Sequence, residues 1–208
     1  FDDVGLLDWA TYYGEQLEEG WGIGVDNDAN VYVSGGTQST FGIATPGVHS
    51  DAFGGYNDVF LAKWDTDGDF QWGTYYGDAF NDQSYGLTVT GDGYSYVTGI
   101  TSSATAIAYG DVYQPTAASV DDAFLAKFTP DGLIVWGTYI GGSSADYAYG
   151  IDMGADSNIV VCGMTLSPDE IASPYAYDTS WDTFYDGFFV SIDSTGDYRF
   201  GTYYGDAM

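Results

Sequence analysis

Two rows of carboxylates recur along the chain at a spacing of 64 residues: Asp58, Asp122 and Asp186, and Glu18, Asp82 and Asp146. Oxygen-only side chains repeated in this way suit hard divalent cations, Ca2+ above all, and a chain short of positive charge favours such ions. The same rows suit a second task. A carboxylate beside a turn accepts main-chain N–H bonds, and a folding requirement also repeats in every unit. Asp65-x-Asp67-x-Asp69 and Asp26-x-Asp28-x-Asn30 share the first half of a calcium loop but lack the sixth-position Gly and distal Glu of an EF-hand. They read better as hairpin turns.

Nucleophilic chemistry has little to work with. The chain holds one His and one Cys, so His49 is the single imidazole base for a catalytic triad, and no G-x-S-x-G elbow accompanies it. Cys162 lies inside an apolar run and reads as a buried, inert thiol. There is no Walker A motif or dinucleotide fingerprint. Among 31 acids some carboxylates must lie close enough for glycoside hydrolysis, yet nothing marks a particular two. The side chains that differ between otherwise uniform long links, His49, Tyr113, Glu170, Tyr175 and Trp181, are the candidates for contact with a ligand or partner.

Across 208 residues, 31 acidic side chains face 3 basic ones, a net charge of -28. Such a surface repels phosphate backbones and anionic headgroups, so neither nucleic acid nor a membrane surface is an expected partner. No apolar stretch approaches the length of a membrane span. With 45% hydrophobic residues, including 20 Tyr, 12 Phe and 6 Trp, the chain can still bury a sizeable core. A single Cys excludes an intrachain disulfide.

The elements that must position these residues are repeats. Trp9-Ala-Thr-Tyr-Tyr-Gly14 returns as Trp72-Gly-Thr-Tyr-Tyr-Gly77, Trp136-Gly-Thr-Tyr-Ile-Gly141 and Phe200-Gly-Thr-Tyr-Tyr-Gly205, at offsets of 63, 64 and 64. Each period holds four short runs, a to d, of β-branched or aromatic residues bounded by Gly and Asp, which is strand grammar. The a–b and c–d links are tight turns with Gly expected where φ is positive. The b–c links, 23 residues each, share Thr37/Thr101/Thr165, Ser39/Ser103/Ser167 and Ile43/Ile107/Ile171 and should pack back on their own unit. In run c, Lys63 shares a face with Leu61 while Phe60, Ala62 and Trp64 take the other. Both faces are largely apolar, as in sheets stacked between sheets. The expectation is an all-β chain, a β-propeller built of four-stranded antiparallel blades. It divides into a leading d strand (1–14) and three full blades (15–77, 78–141 and 142–208). Three blades are too few to close a ring, so the leading strand is expected to pair with run c of a further blade.

The WGTYYG segments, Asn30–Gly35 and the run Ile43–Lys63 closely resemble the SBBP family, the seven-bladed β-propeller repeat of secreted bacterial proteins. The resemblance covers nearly the whole chain. It implies a propeller and an extracellular or cell-surface location, in large proteins frequent in Bacteroidota that often use type IX secretion; it implies no activity. Blades kept this alike favour a non-enzymatic structural or adhesive segment, whose partners are other protein chains or further blades. A carbohydrate-binding propeller, with exposed aromatics stacking on glycans, is the second reading. A glycoside hydrolase is the third.

Overall fold

The computed structural model describes residues 4, 6–182 and 184–205, in which all regular secondary structure is β. The strands are β1 (Glu18–Val25), β2 (Val31–Thr37), β3 (Asp58–Trp64), β4 (Phe70–Tyr76), β5 (Asp82–Val89), β6 (Ser95–Thr101), β7 (Asp122–Phe128), β8 (Ile134–Ile140), β9 (Asp146–Met153), β10 (Ile159–Thr165), β11 (Asp186–Ile192) and β12 (Tyr198–Tyr204). They form three four-stranded antiparallel sheets in sequence order, β1–β4, β5–β8 and β9–β12. No helix among the described residues is long and apolar enough to cross a membrane.

Local chemistry accounts for the hairpins. In the c–d turns Gly68, Gly132 and Gly196 adopt positive φ (84°, 78° and 97°), and each donates its N–H to the carbonyl three residues earlier. The a–b turns depart from the expectation of Gly. Only Gly93 supplies it, whereas Ala29 and Ser157 hold φ of 60° and 63°, a left-handed conformation that costs an L-residue about 1–2 kcal/mol. Asp26 offsets that strain in the first turn: its carboxylate accepts from the N–H groups of Asp28 and Asn30, from Asn30 Nδ2 and from the Tyr32 hydroxyl.

Both sheet faces bury apolar residues, as the pattern of run c requires. Val59 and Leu61 of β3 pack with Leu87, Val97 and Phe124 of the second sheet, while Phe60, Ala62 and Trp64 pack on the opposite side. The sheets meet chiefly along their first strands, β1 against β5 and β5 against β9. Gly22 allows this approach, since a Cβ there would come within 2.6 Å of Leu87 Cβ. Ser34 and Ser84 hydroxyls hydrogen-bond across the gap at 2.8 Å.

The long b–c links do pack back. Ile43, Ile107 and Ile171 are buried, and the links run along the last strand of each sheet through bonds such as Thr45 N–H to Gly73 O, Tyr109 N–H to Gly137 O and Ser173 N–H to Gly201 O. An edge that would otherwise present unpaired main-chain groups is thereby covered.

The leading segment corrects the expectation of a strand. No strand is assigned to residues 6–14, and residues 1–3 and 5 lie outside the described residues. Yet the segment makes the outward contacts of a fourth strand. Trp9 lies against Gly68, as Trp72 lies against Gly132. The Tyr13 hydroxyl donates to Ile43 O at 2.7 Å, as that of Tyr76 donates to Ile107 O at 2.6 Å. Tyr12, by contrast, is fully exposed where Tyr75, Tyr139 and Tyr203 are buried. Those three are covered by the other strands and link of their own sheets, and among the described residues no such sheet surrounds Tyr12.

Candidate functional site

The two acid rows sit at the start of first and third strands, where backbone direction changes and N–H groups need acceptors. In the Asp58 row each carboxylate reaches back four residues: Asp58 accepts from Gly54 N–H, Asp122 from Ala118 N–H and Asp186 from Asp182 N–H. In the Glu18 row the partners are the shared Thr and Ser of the links. Glu18 accepts from the hydroxyls of Thr37 and Ser39, Asp82 from Thr101 and Ser103, and Asp146 from Ser167. Asp82 and Asp146 also accept from Asp78 and Gly142 N–H at 2.9 Å. The Thr and Ser rows thus act as donors to the acids one link away.

The rows come together across the sheet junctions. A Cβ at Gly141 would collide with Asp146 Oδ2 and crowd Asp122 Oδ1, so those two carboxylates converge over one glycine. Burial pushes the Asp58 carboxyl up to about 6 against the pull of Gly54 N–H, and the Asp82 charge adds to the rise. Burial likewise raises Asp146 to about 6, opposed by Thr165, Ser167 and Gly142, with the Asp122 charge adding. Asp58 Oδ1 and Asp146 Oδ1 are buried without a hydrogen-bond partner. Among the described residues, no three His, Cys, Asp or Glu side chains gather as a metal ion would need.

A second repeated arrangement escaped the sequence reading. Lys63 Nζ and Trp72 Nε1 both donate to Pro130 O, in the c–d turn of the second sheet, at 3.5 and 2.9 Å. Lys127 Nζ and Trp136 Nε1 both donate to Ser194 O in the third, at 3.1 and 3.0 Å. Lys63 also lies over the Tyr32 ring and Lys127 over Tyr94 and Tyr96, an attraction that strengthens when desolvated. Two of the three basic residues therefore join sheet to sheet. In the third sheet Ser191 and Phe200 occupy the Lys and Trp positions, so both donors are missing from its outer face. The signal was visible as Lys63, Lys127 and Ser191 in register.

The contact candidates scatter. His49 is half-buried among Tyr76, Tyr109 and Phe128, a packing residue between sheets rather than an exposed one; burial lowers its pKa. Tyr113 stacks on Tyr198 at 4.7 Å and donates to Glu170 O, so these two candidates meet. Tyr175 is exposed. Trp181 packs against the core of the third sheet, its indole N–H buried without a partner. Cys162 is exposed, not buried. Its counterparts Ser34 and Thr98 are covered by the following sheet, and among the described residues no sheet covers Cys162.

No protein-family model matches the chain, and no curated protein matches it. Among solved structures it is similar to the crystal structure of a protein of unknown function from Bacteroides caccae, at 11% identity over 91% of this chain and 83% of that one, with a TM-score of 0.32.

Proposed function

We propose that the chain is a non-enzymatic structural or adhesive segment of an extracellular or cell-surface β-propeller of the SBBP type, and that its two end faces receive further blades or another protein chain. One observation carries this reading: the contacts made fully at both internal junctions are half-made at each end. At one end Trp9 and Tyr13 stand where a fourth strand would, beside a groove of about 430 Å³ also lined by Ile23, Val33, Phe60 and Trp64. At the other end Tyr204, in register with the buried Tyr76, is 71% exposed, and Phe189, in register with the buried Leu61, is 37% exposed. Sheets that converge along their first strands are also what radial blades require. Uncovered apolar faces of this kind favour association. Residues 1–208 should therefore self-associate in sedimentation velocity as concentration rises, and Phe189→Asp with Tyr204→Asp should reduce that association. A cooperative melt from a species that stays monomeric at all concentrations would overturn the reading.

A further inference from the structure

Each first strand carries a β-bulge at the same place, and the residue left out of the pairing is aromatic every time. In β1 the register passes from Gly20 to Gly22, skipping Trp21; in β5 it passes from Ser84 to Gly86, skipping Tyr85; in β9 it passes from Ala148 to Gly150, skipping Tyr149. A bulge on an edge strand re-aims the extra side chain away from the sheet. Because the first strands lie side by side, the three rings form a continuous strip, with centroids 5.8 Å apart from Trp21 to Tyr85 and 5.5 Å from Tyr85 to Tyr149. Tyr147 extends it, its ring parallel to that of Tyr149 within 9°. Trp21 is 56% exposed and Tyr149 49%.

The strip is held in place and has polar borders. The Gln83 amide oxygen, in the orientation its surroundings require, accepts from both Trp21 Nε1 and Gly36 N–H at 3.0 Å, which fixes the indole and leaves ring surface open. Burial, then the neighbouring Tyr149 and Glu19, raise the Tyr85 phenol; burial, then Asp121, raise that of Tyr147. Both phenols remain neutral donors, and the adjoining carboxylates are acceptors. We propose that Trp21, Tyr85, Tyr149 and Tyr147, with Glu19 and Asp121, form a binding strip for a neutral hexopyranose oligosaccharide. Sugar rings offer apolar C–H faces to the aromatics and hydroxyl donors to the carboxylates. A polyproline segment would also lie on aromatic rings, but it has no N–H groups to give those carboxylates. Anionic glycans are opposed by the net charge of -28.

This inference leaves the proposed assembly role as it stands, since the strip lies on the first strands and not on Phe189 or Tyr204. The probe is a panel of neutral gluco-, manno- and galacto-oligosaccharides, read by glycan array and by calorimetric titration of the full chain. Binding to at least one member is expected, weakened about tenfold by Trp21→Ala and similarly by Tyr149→Ala, in line with loss of one stacking ring. Tyr56→Ala, at an exposed tyrosine outside the strip, should leave it unchanged, with circular dichroism melts confirming that each variant is folded. Absence of binding across the panel, binding insensitive to both strip variants, or binding only of a proline-rich peptide would each overturn the proposal.

Discussion

At the scale of single residues, Asp58 and Asp146 are the unusual groups, because each buries one carboxylate oxygen with no donor while its neighbour across the junction is also an acid. An Asp in the unfolded chain titrates near 3.9, whereas these two hold their protons to about 6. Between those values the folded chain binds more protons than the unfolded one, so their contribution to stability is full below pH 4 and is lost as pH rises through 6. The effect should be on the order of 3 kcal/mol for each group. Calorimetric melts from pH 4 to 7 should show a falling midpoint, and Asp58→Asn with Asp146→Asn should flatten the slope and raise the midpoint at pH 7. An unchanged slope in the double variant would show that general charge repulsion, not these two carboxyls, sets the pH dependence.

At the scale of elements, the fourth strands of the first two sheets are tied to the next sheet as well as to their own. The indole N–H of Trp72 and Trp136 reaches the carbonyl of the following c–d turn, so Trp72→Phe should cost about 1 kcal/mol, the worth of one net hydrogen bond. Trp136→Phe should cost about the same, and the double variant roughly the sum, since the junctions are separate. Phe200→Trp provides the contrast: among the described residues no turn follows the third sheet, and stability should not change. Urea midpoints measure all four; a stabilising Phe200→Trp would mean that its indole finds a partner on the open face. The same junctions tolerate exchange of roles. Ile140 lacks the hydroxyl that Tyr76 donates, and Tyr198 of the third sheet supplies the bond to Ile171 O instead.

At the scale of the whole molecule, 28 uncompensated negative charges act on a fold whose acid rows carry their own N–H and hydroxyl donors. Screening should raise the melting temperature with any added salt. Melts in sodium, magnesium and calcium chloride at matched ionic strength are expected to coincide. A calcium-specific rise abolished by Asp122→Asn would instead return the rows to the role of cation ligands, with a bound site adding roughly 2.7 kcal/mol at a hundredfold excess over its dissociation constant.

Repetition made the sheets legible. A run that recurs every 64 residues with alternating faces has few alternatives to a strand, so Asp58–Trp64 and its two counterparts, the c–d turns and the inward packing of the Ile43 row could all be read from spacing and side-chain type. Burial could not, because it depends on whether a neighbour is present. Cys162 and Tyr204 occupy positions that are covered in the other units and lie open here, and Tyr12 lies open where its counterparts are covered by their own sheets. The aromatic strip was printed in the sequence as Trp21, Tyr85 and Tyr149, one period apart. Its exposure required the bulges, which turn each ring out of the sheet, and the close approach of three first strands, which sets the rings side by side. Side-chain period belongs to the chain, while the company a side chain keeps is decided by contacts between residues far apart along it.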